Sequence, residues 1–294
     1  MPEFEAEESP PPLTSLALGA QSAALVVAPI ALFPIVLFQA VEGSESELAW
    51  AVFAMLAVNG VTTMLQGLRF GTLGAGLLVI NYPSPTAIPS CIIALEEGGA
   101  GTLAALILAS GVFQIAVSTK LSLLRRLFTP AFSGAILILL VITFVPVVFG
   151  GLNDVPEGAP AAAGPICILV TFVLTLGLLM RGSGAWRVWS SLIGIAVGSL
   201  VGIAFGLFDF GPVKGAPIAG LPMDGWPGLG LEFGSAFWSL LPAFLFLALI
   251  ALMQGTSIAM SIQRVSWRRP RAIDYRRVQG ISAFTGVGLS LIHI

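Results

Sequence analysis

Charge is what this sequence has least of. Asp, Glu, Lys and Arg make up 10% of its 294 residues, where a soluble domain carries roughly 25%, while 56% are hydrophobic and the mean hydropathy is +0.98. So few charges cannot cover a water-soluble globule, and lipid must solvate most of the outside. Histidine is almost missing, with His293 the single one, and the two cysteines, Cys91 and Cys167, sit in separate apolar runs. That spacing argues against a disulfide framework or a metal centre and for two buried thiols. A basic leader is lacking too. The opening MPEFEAEESPPP is acidic and proline-rich, so residues 1–12 read as a disordered tail rather than a cleavable signal.

What the chain does have is long apolar runs. A helix crossing the hydrocarbon needs about 20 mostly apolar residues, and candidates occur at 13–40, 48–67, 72–95, 100–119, 129–150, 161–180, 186–208 and 236–260, with a ninth beginning near 278. Twelve of the thirteen basic residues fall in the loops after spans two, four, six and eight, and only Lys214 falls on the other side. By the positive-inside rule those loops and the N-terminus are cytoplasmic. The acids are the complement: Glu42, Glu45, Glu47, Glu96, Glu97, Asp154, Glu157, Asp209, Asp224 and Glu232 lie in the opposite loops, and none lies inside a span. Intramembrane carboxylates are the usual proton carriers of pumps and symporters, so any such role here needs another group.

The third span reads TLGAGLLVINYPSPTAIPSCIIAL, with Pro83, Pro85 and Pro89 in its middle. Proline lacks an N–H and clashes with the preceding turn, and it pushes Tyr82, Ser84 and Ile88 toward extended geometry. Residues 81–88 are therefore expected to be extended backbone at membrane depth, which is tolerated only inside protein or along a cavity. Broken helices of this kind form the midplane sites of secondary transporters; a proline-kinked structural helix is the plainer alternative. Other polar groups inside spans are Gln21, Ser22, Asn59, Thr62, Thr63, Gln114 and the cluster Gln254, Thr256 and Ser257. Thr62, Thr63 and Gln114 are expected to serve as bonds between helices. Gln21 and Gln254 each need partners for a four-position amide, supplied either by the protein or by a polar ligand. Gly194, Gly198, Gly202 and Gly206 recur every four residues, which suits close helix packing, and 209–230 reads as an ordered extracytoplasmic excursion. The arginine-rich RVSWRRPRAIDYRR touches anionic lipid or simply anchors its loop.

Four stretches in order resemble the nucleobase–ascorbate transporter family, which includes xanthine and uracil permeases. They are LGAQS in span one, NGVTTMLQ with LRFGTLGAGLLVINYPSPTAIP, LFTPAFSGAILILLVITFVP, and MQGTSIAMSIQRVS in span eight, so the resemblance covers 13–289. It implies an all-α polytopic membrane protein of two inverted seven-span repeats. Residues 13–127 would then carry core spans 1–4, residues 128–208 gate spans 5–7, and 209–235 the extracytoplasmic loop. Residues 236–294 would hold span eight, the basic loop and the start of span nine. It further implies a symporter that moves nucleobases such as xanthine, urate or uracil across the cytoplasmic membrane by sliding core against gate. No cofactor is implied, a proton or sodium ion would be the coupling ion, and the full-length protein would form a homodimer in lipid without nucleic acid.

The substrate-binding residues the resemblance points to are Gln254, Gln21, Tyr82, Ser84, Thr86 and Ser257. Several depart from the family pattern. Its span-eight glutamate falls on Gln254, the following Gly and Asp on Ser257 and Ile258, the histidine of its Gln-His pair on Ser22, and a phenylalanine of span three on Ser84. A glutamine hydrogen-bonds a nucleobase edge but takes up no proton. A family member needs about 430 residues by this resemblance, so the chain is expected to be a fragment that does not transport alone, with His293 in its terminal scrap. A sulfate-type anion carrier of the same fold is the alternative, with the anion at the helix N-terminus near 86–90. An intramembrane enzyme lacks a catalytic constellation at membrane depth. A non-transporting scaffold fragment is the remaining reading.

Overall fold

A computed structural model describes mainly residues 10–68, 83–118, 158–208 and 230–267, with scattered positions between them. Most of span five and of the 209–230 loop, the arginines from Arg268 to Arg277 and His293 lie outside the described residues. Every regular element among the described residues is helical: α1 (Pro12–Ala40), α2 (Glu45–Gly67), a 3-10 turn (Pro85–Ala87), α3 (Ile88–Ser118), α4 (Ala163–Arg181), α5 (Ala185–Val188), α6 (Ser190–Ala204) and α7 (Ser235–Val265). Five of these, α1, α2, α3, α4 and α7, are long and apolar enough to cross a membrane. The protein is a multi-pass membrane protein, all-helical in its described residues.

Local sequence explains the ends. Proline occupies the first turn of α1, where no N–H is needed. Ser44 and Glu47 form a reciprocal capping box that starts α2. The expected spans three and four are joined in one run whose only non-helical residue is Gly99, at φ 70° and ψ −175°. Residues 88–98 and 100–118 are thus two helical pieces meeting at a backbone conformation that essentially only glycine adopts. The extended stretch expected over 81–88 is shorter than that. Pro83 and Ser84 have no regular structure, but the chain turns helical from Pro85, where Ala87 N–H donates to the Ser84 carbonyl at 3.0 Å. Pro89 falls in the first turn of α3, where its missing N–H costs nothing. Span seven, expected unbroken over 186–208, is instead two helices interrupted at Trp189, and it ends at Ala204 with Gly206 at φ 74°.

The chain forms two compact units. The first comprises 1–11, 28–140 and 221–294, and the second 12–27 and 141–220. In the first, α3 lies along α7. Leu103, Ala105 and Leu106 of α3 pack with Phe237 and Phe244 of α7 and Leu37 of α1. Ser110 Oγ donates to the Phe244 carbonyl at 3.3 Å, tying the two helices across their contact. In the second, α4 packs on α6. Gly194 and Gly198 face Thr175 and Thr171, so the glycine spacing does serve close packing: an added Cβ at either would collide with the threonine hydroxyl. The outer face of α4 exposes Leu169, Phe172, Val173 and Met180, as a lipid-facing helix does.

Not every polar group inside a span bonds between helices. Thr62 Oγ1 donates back to the Val58 carbonyl (2.8 Å) and the Asn59 carbonyl (3.2 Å) of its own helix. Gln114, expected to bond a neighbouring helix, is 1% exposed, and neither atom of its amide has a partner among the described residues. Its helix turns it into the buried side of α3, alongside Ser110 and Ser118, whose hydroxyls bond main-chain carbonyls.

Candidate substrate cavity

A cavity of about 160 Å³ in the first unit is lined by the broken segment before α3, by both halves of α3, by the middle of α7, and by Phe33 of α1, Met55 of α2 and Ile281. Phe33, Phe244, Leu247, Val79 and Ile281 supply apolar wall, while Ser84, Thr86, Ser110 and Gln254 supply the polar atoms. For scale, an apolar cavity of about 150 Å³ takes up one benzene. This one has room for a ligand built on a small flat ring.

The polar atoms converge on one corner. Because Ser84 is non-helical and Thr86 sits in the 3-10 turn, their hydroxyls come together at 2.8 Å. Ser84 Oγ also reaches Gln254 Oε1, at a long 3.5 Å. Gln254 Nε2 is shut off from solvent and has no hydrogen-bond partner among the described residues. An amide nitrogen left so carries two unmet N–H groups, and leaving one buried donor unmatched costs about 1–3 kcal/mol. The corner therefore offers two donors, a weakly used amide oxygen and a hydroxyl pair. That set matches a ligand edge in which carbonyl and ring N–H alternate, since a carboxamide donates and accepts side by side. No acidic, basic or histidine side chain lines the cavity among the described residues.

Of the six residues put forward from the sequence, three come together: Gln254, Ser84 and Thr86. Tyr82 lies outside the described residues. Ser257 is one turn along α7 and does not line the cavity; its hydroxyl donates to the Met253 carbonyl at 3.0 Å. Gln21 belongs to the second unit. It is 7% exposed, and its Nε2 donates to the Val188 carbonyl at 2.6 Å, so the partner it needed is the main chain at the end of α5. Ser22 Oγ likewise donates to its own helix at Leu18. Sequence reasoning missed Ser110, Ile281 and the two phenylalanines. Ser110 was findable, since with Gln114 and Ser118 it makes a polar line at four-residue spacing. A phenylalanine or isoleucine in so apolar a chain carries no signal.

Comparison with known proteins adds the following. Residues 13–290 match the model of the Permease family. The chain is 24% identical over 92% of its length to a nucleobase transporter of Paenibacillus larvae, covering 63% of that protein. It is 24% identical over 92% of its length to a xanthine permease of Bacillus subtilis, covering 62%. It is 25% identical over 87% of its length to a uric acid permease of the same organism, covering 58%. The chain therefore spans about three-fifths of the length of these relatives. No solved structure matches.

Proposed function

The chain belongs to the Permease family, matched over residues 13–290, and from that premise we propose that it carries a nucleobase such as xanthine, urate or uracil across a membrane. The matched relatives are permeases rather than enzymes. The observation that carries the reading is the unmet amide of Gln254, enclosed in a ring-sized cavity beside the Ser84–Thr86 hydroxyl pair. A nucleobase edge would supply what this corner lacks. Ser84 and Thr86 would complete the recognition from the broken segment, as half-helices do in secondary transporters. Gln21, Tyr82 and Ser257 remain candidates in other states of the cycle.

The finer proposal is a symporter of two inverted seven-span repeats. Residues 13–127 and 236–294 would belong to the moving core and 128–208 to the gate, working as a homodimer in the cytoplasmic membrane with the N-terminus inside. The basic loops support that orientation. A proton or sodium ion would drive uptake, and a glutamine at position 254 puts proton coupling elsewhere.

The test is uptake by the intact protein in proteoliposomes, with xanthine, uracil and sulfate as competitors. Xanthine or uracil should compete and sulfate should not; competition by sulfate alone would replace the reading with that of an anion carrier. Gln254→Glu should make uptake depend on pH, because a carboxyl changes between donor and acceptor as it titrates. Unchanged transport with an unchanged pH profile would remove position 254 from the site.

A further inference from the structure

Gln66, the last residue of the NGVTTMLQ stretch, takes no part in the cavity, yet it is completely buried. Its Nε2 donates to the Ile281 carbonyl at 3.2 Å, across 215 residues of sequence. Ile281 is itself 1% exposed. Its side chain does two things at once: it packs with Leu77, Val79, Leu252 and Ala259, and it forms part of the cavity wall. A second glutamine acts on the same stretch of chain. Gln263, 4% exposed near the end of α7, grips the main chain of Asp274 at both ends of its amide. Oε1 accepts from Asp274 N–H at 2.8 Å, and Nε2 donates to its carbonyl at 3.1 Å.

Both glutamines thus spend their amides on main-chain atoms that follow α7, and neither touches the cavity. Packing alone does not require this arrangement. An amide at 0% exposure is costly, and Gln66 Oε1 has no partner among the described residues. An apolar residue of the same length would fill that volume without the penalty. What the amide adds is a fixed distance to the Ile281 carbonyl, and with it a fixed position for the wall.

We infer that Gln66, assisted by Gln263, is a positioning residue that sets the Ile281 wall of the substrate cavity and thereby limits the size of base admitted. This rests on the nucleobase reading above. Nothing about it requires Gln66 to meet substrate. Its effect reaches the ligand only through where Ile281 stands.

The experiment compares xanthine with its dimethyl analogue theophylline as competitors, using the intact protein in proteoliposomes. Ile281→Ala should shift the affinity ratio toward theophylline by about tenfold or more, the scale on which a hydrophobic pocket discriminates small groups. Gln66→Leu should shift it the same way, and Gln66→Leu combined with Ile281→Ala should match Ile281→Ala alone. A wild-type ratio in Gln66→Leu, or a double variant equal to the product of the singles, overturns the inference. A second readout needs no substrate. Ile281→Cys, with Cys91→Ser and Cys167→Ser, should react with maleimide several-fold faster when combined with Gln66→Leu. An unchanged rate overturns the clamp whatever the ligand, whereas a raised rate with no base bound by the wild type overturns the nucleobase reading and leaves the clamp standing. Should Gln66→Leu fail to reach the membrane, Gln263→Leu carries both measurements, since it loosens the same stretch from Asp274.

Discussion

Gln254 differs from Gln21, Gln66 and Gln263 in leaving its amide nitrogen unmatched. Gln21 has given its nitrogen to Val188, Gln66 to Ile281 and Gln263 to Asp274, while the nitrogen of Gln254 is enclosed and unmatched beside two hydroxyls. Gln254→Leu should therefore weaken nucleobase binding about ten- to a hundred-fold, equivalent to about 1–3 kcal/mol, with little change in thermal stability in detergent. Equilibrium binding of radiolabelled xanthine beside a melting curve checks both halves. Gln114 is the control: buried, equally unmatched and outside the cavity. Replacing it with Leu should leave binding alone and hold or raise the melting temperature. At this scale the sequence was legible at Gln254, where a polar side chain interrupts an apolar run, while Ser84 and Thr86 came from the family resemblance at the proline-broken third span. It was not legible where the backbone absorbs the polarity, as at Ser257 and Thr62, because a hydroxyl bonding its own helix looks in sequence like one aimed at a ligand.

Among the elements, α3 carries the most local constraint. Its two halves meet at Gly99, in a conformation costing an ordinary residue about 1–3 kcal/mol, and no neighbouring atom stands within 4 Å of where a Cβ would go. Gly99→Ala should therefore destabilise through backbone strain alone, which a lowered melting temperature with an unchanged oligomeric state would record. Gly198 is the opposite case. It is helical, and a Cβ there meets the hydroxyl of Thr171. Gly198→Leu should cost about 1–3 kcal/mol by overpacking, and pairing it with Thr171→Ala should recover part of that loss. Hydrophobic run length placed α1, α2, α4 and α7 to within a few residues. It failed at span seven because Trp189 and Gly206 interrupt a run that stays apolar throughout, so the break lies in backbone angles rather than composition.

At the scale of the whole molecule the scarcity of charge sets the pattern: among the described residues, large apolar side chains such as Leu169 and Phe172 stand exposed for lipid, and charged side chains keep out of the cavity. Orientation is the property most directly written in the sequence and can be read without transport. A cysteine at Ser183, exposed beside Arg181 and Arg187, should react with a membrane-impermeant maleimide only from the cytoplasmic side. One at Ser46, exposed among Glu45 and Glu47, should react only from outside. Identical sidedness at the two positions would overturn the proposed topology. The grip of Gln263 on Asp274 has a consequence for how the protein can drift in evolution. That contact reads only an N–H and a C=O, so as far as it goes position 274 is free to become any amino acid except proline, while 263 is pinned to one. Slow amide exchange at 274 should therefore survive substitutions there other than proline and be lost in Gln263→Leu, a lopsided tolerance across one pair of hydrogen bonds.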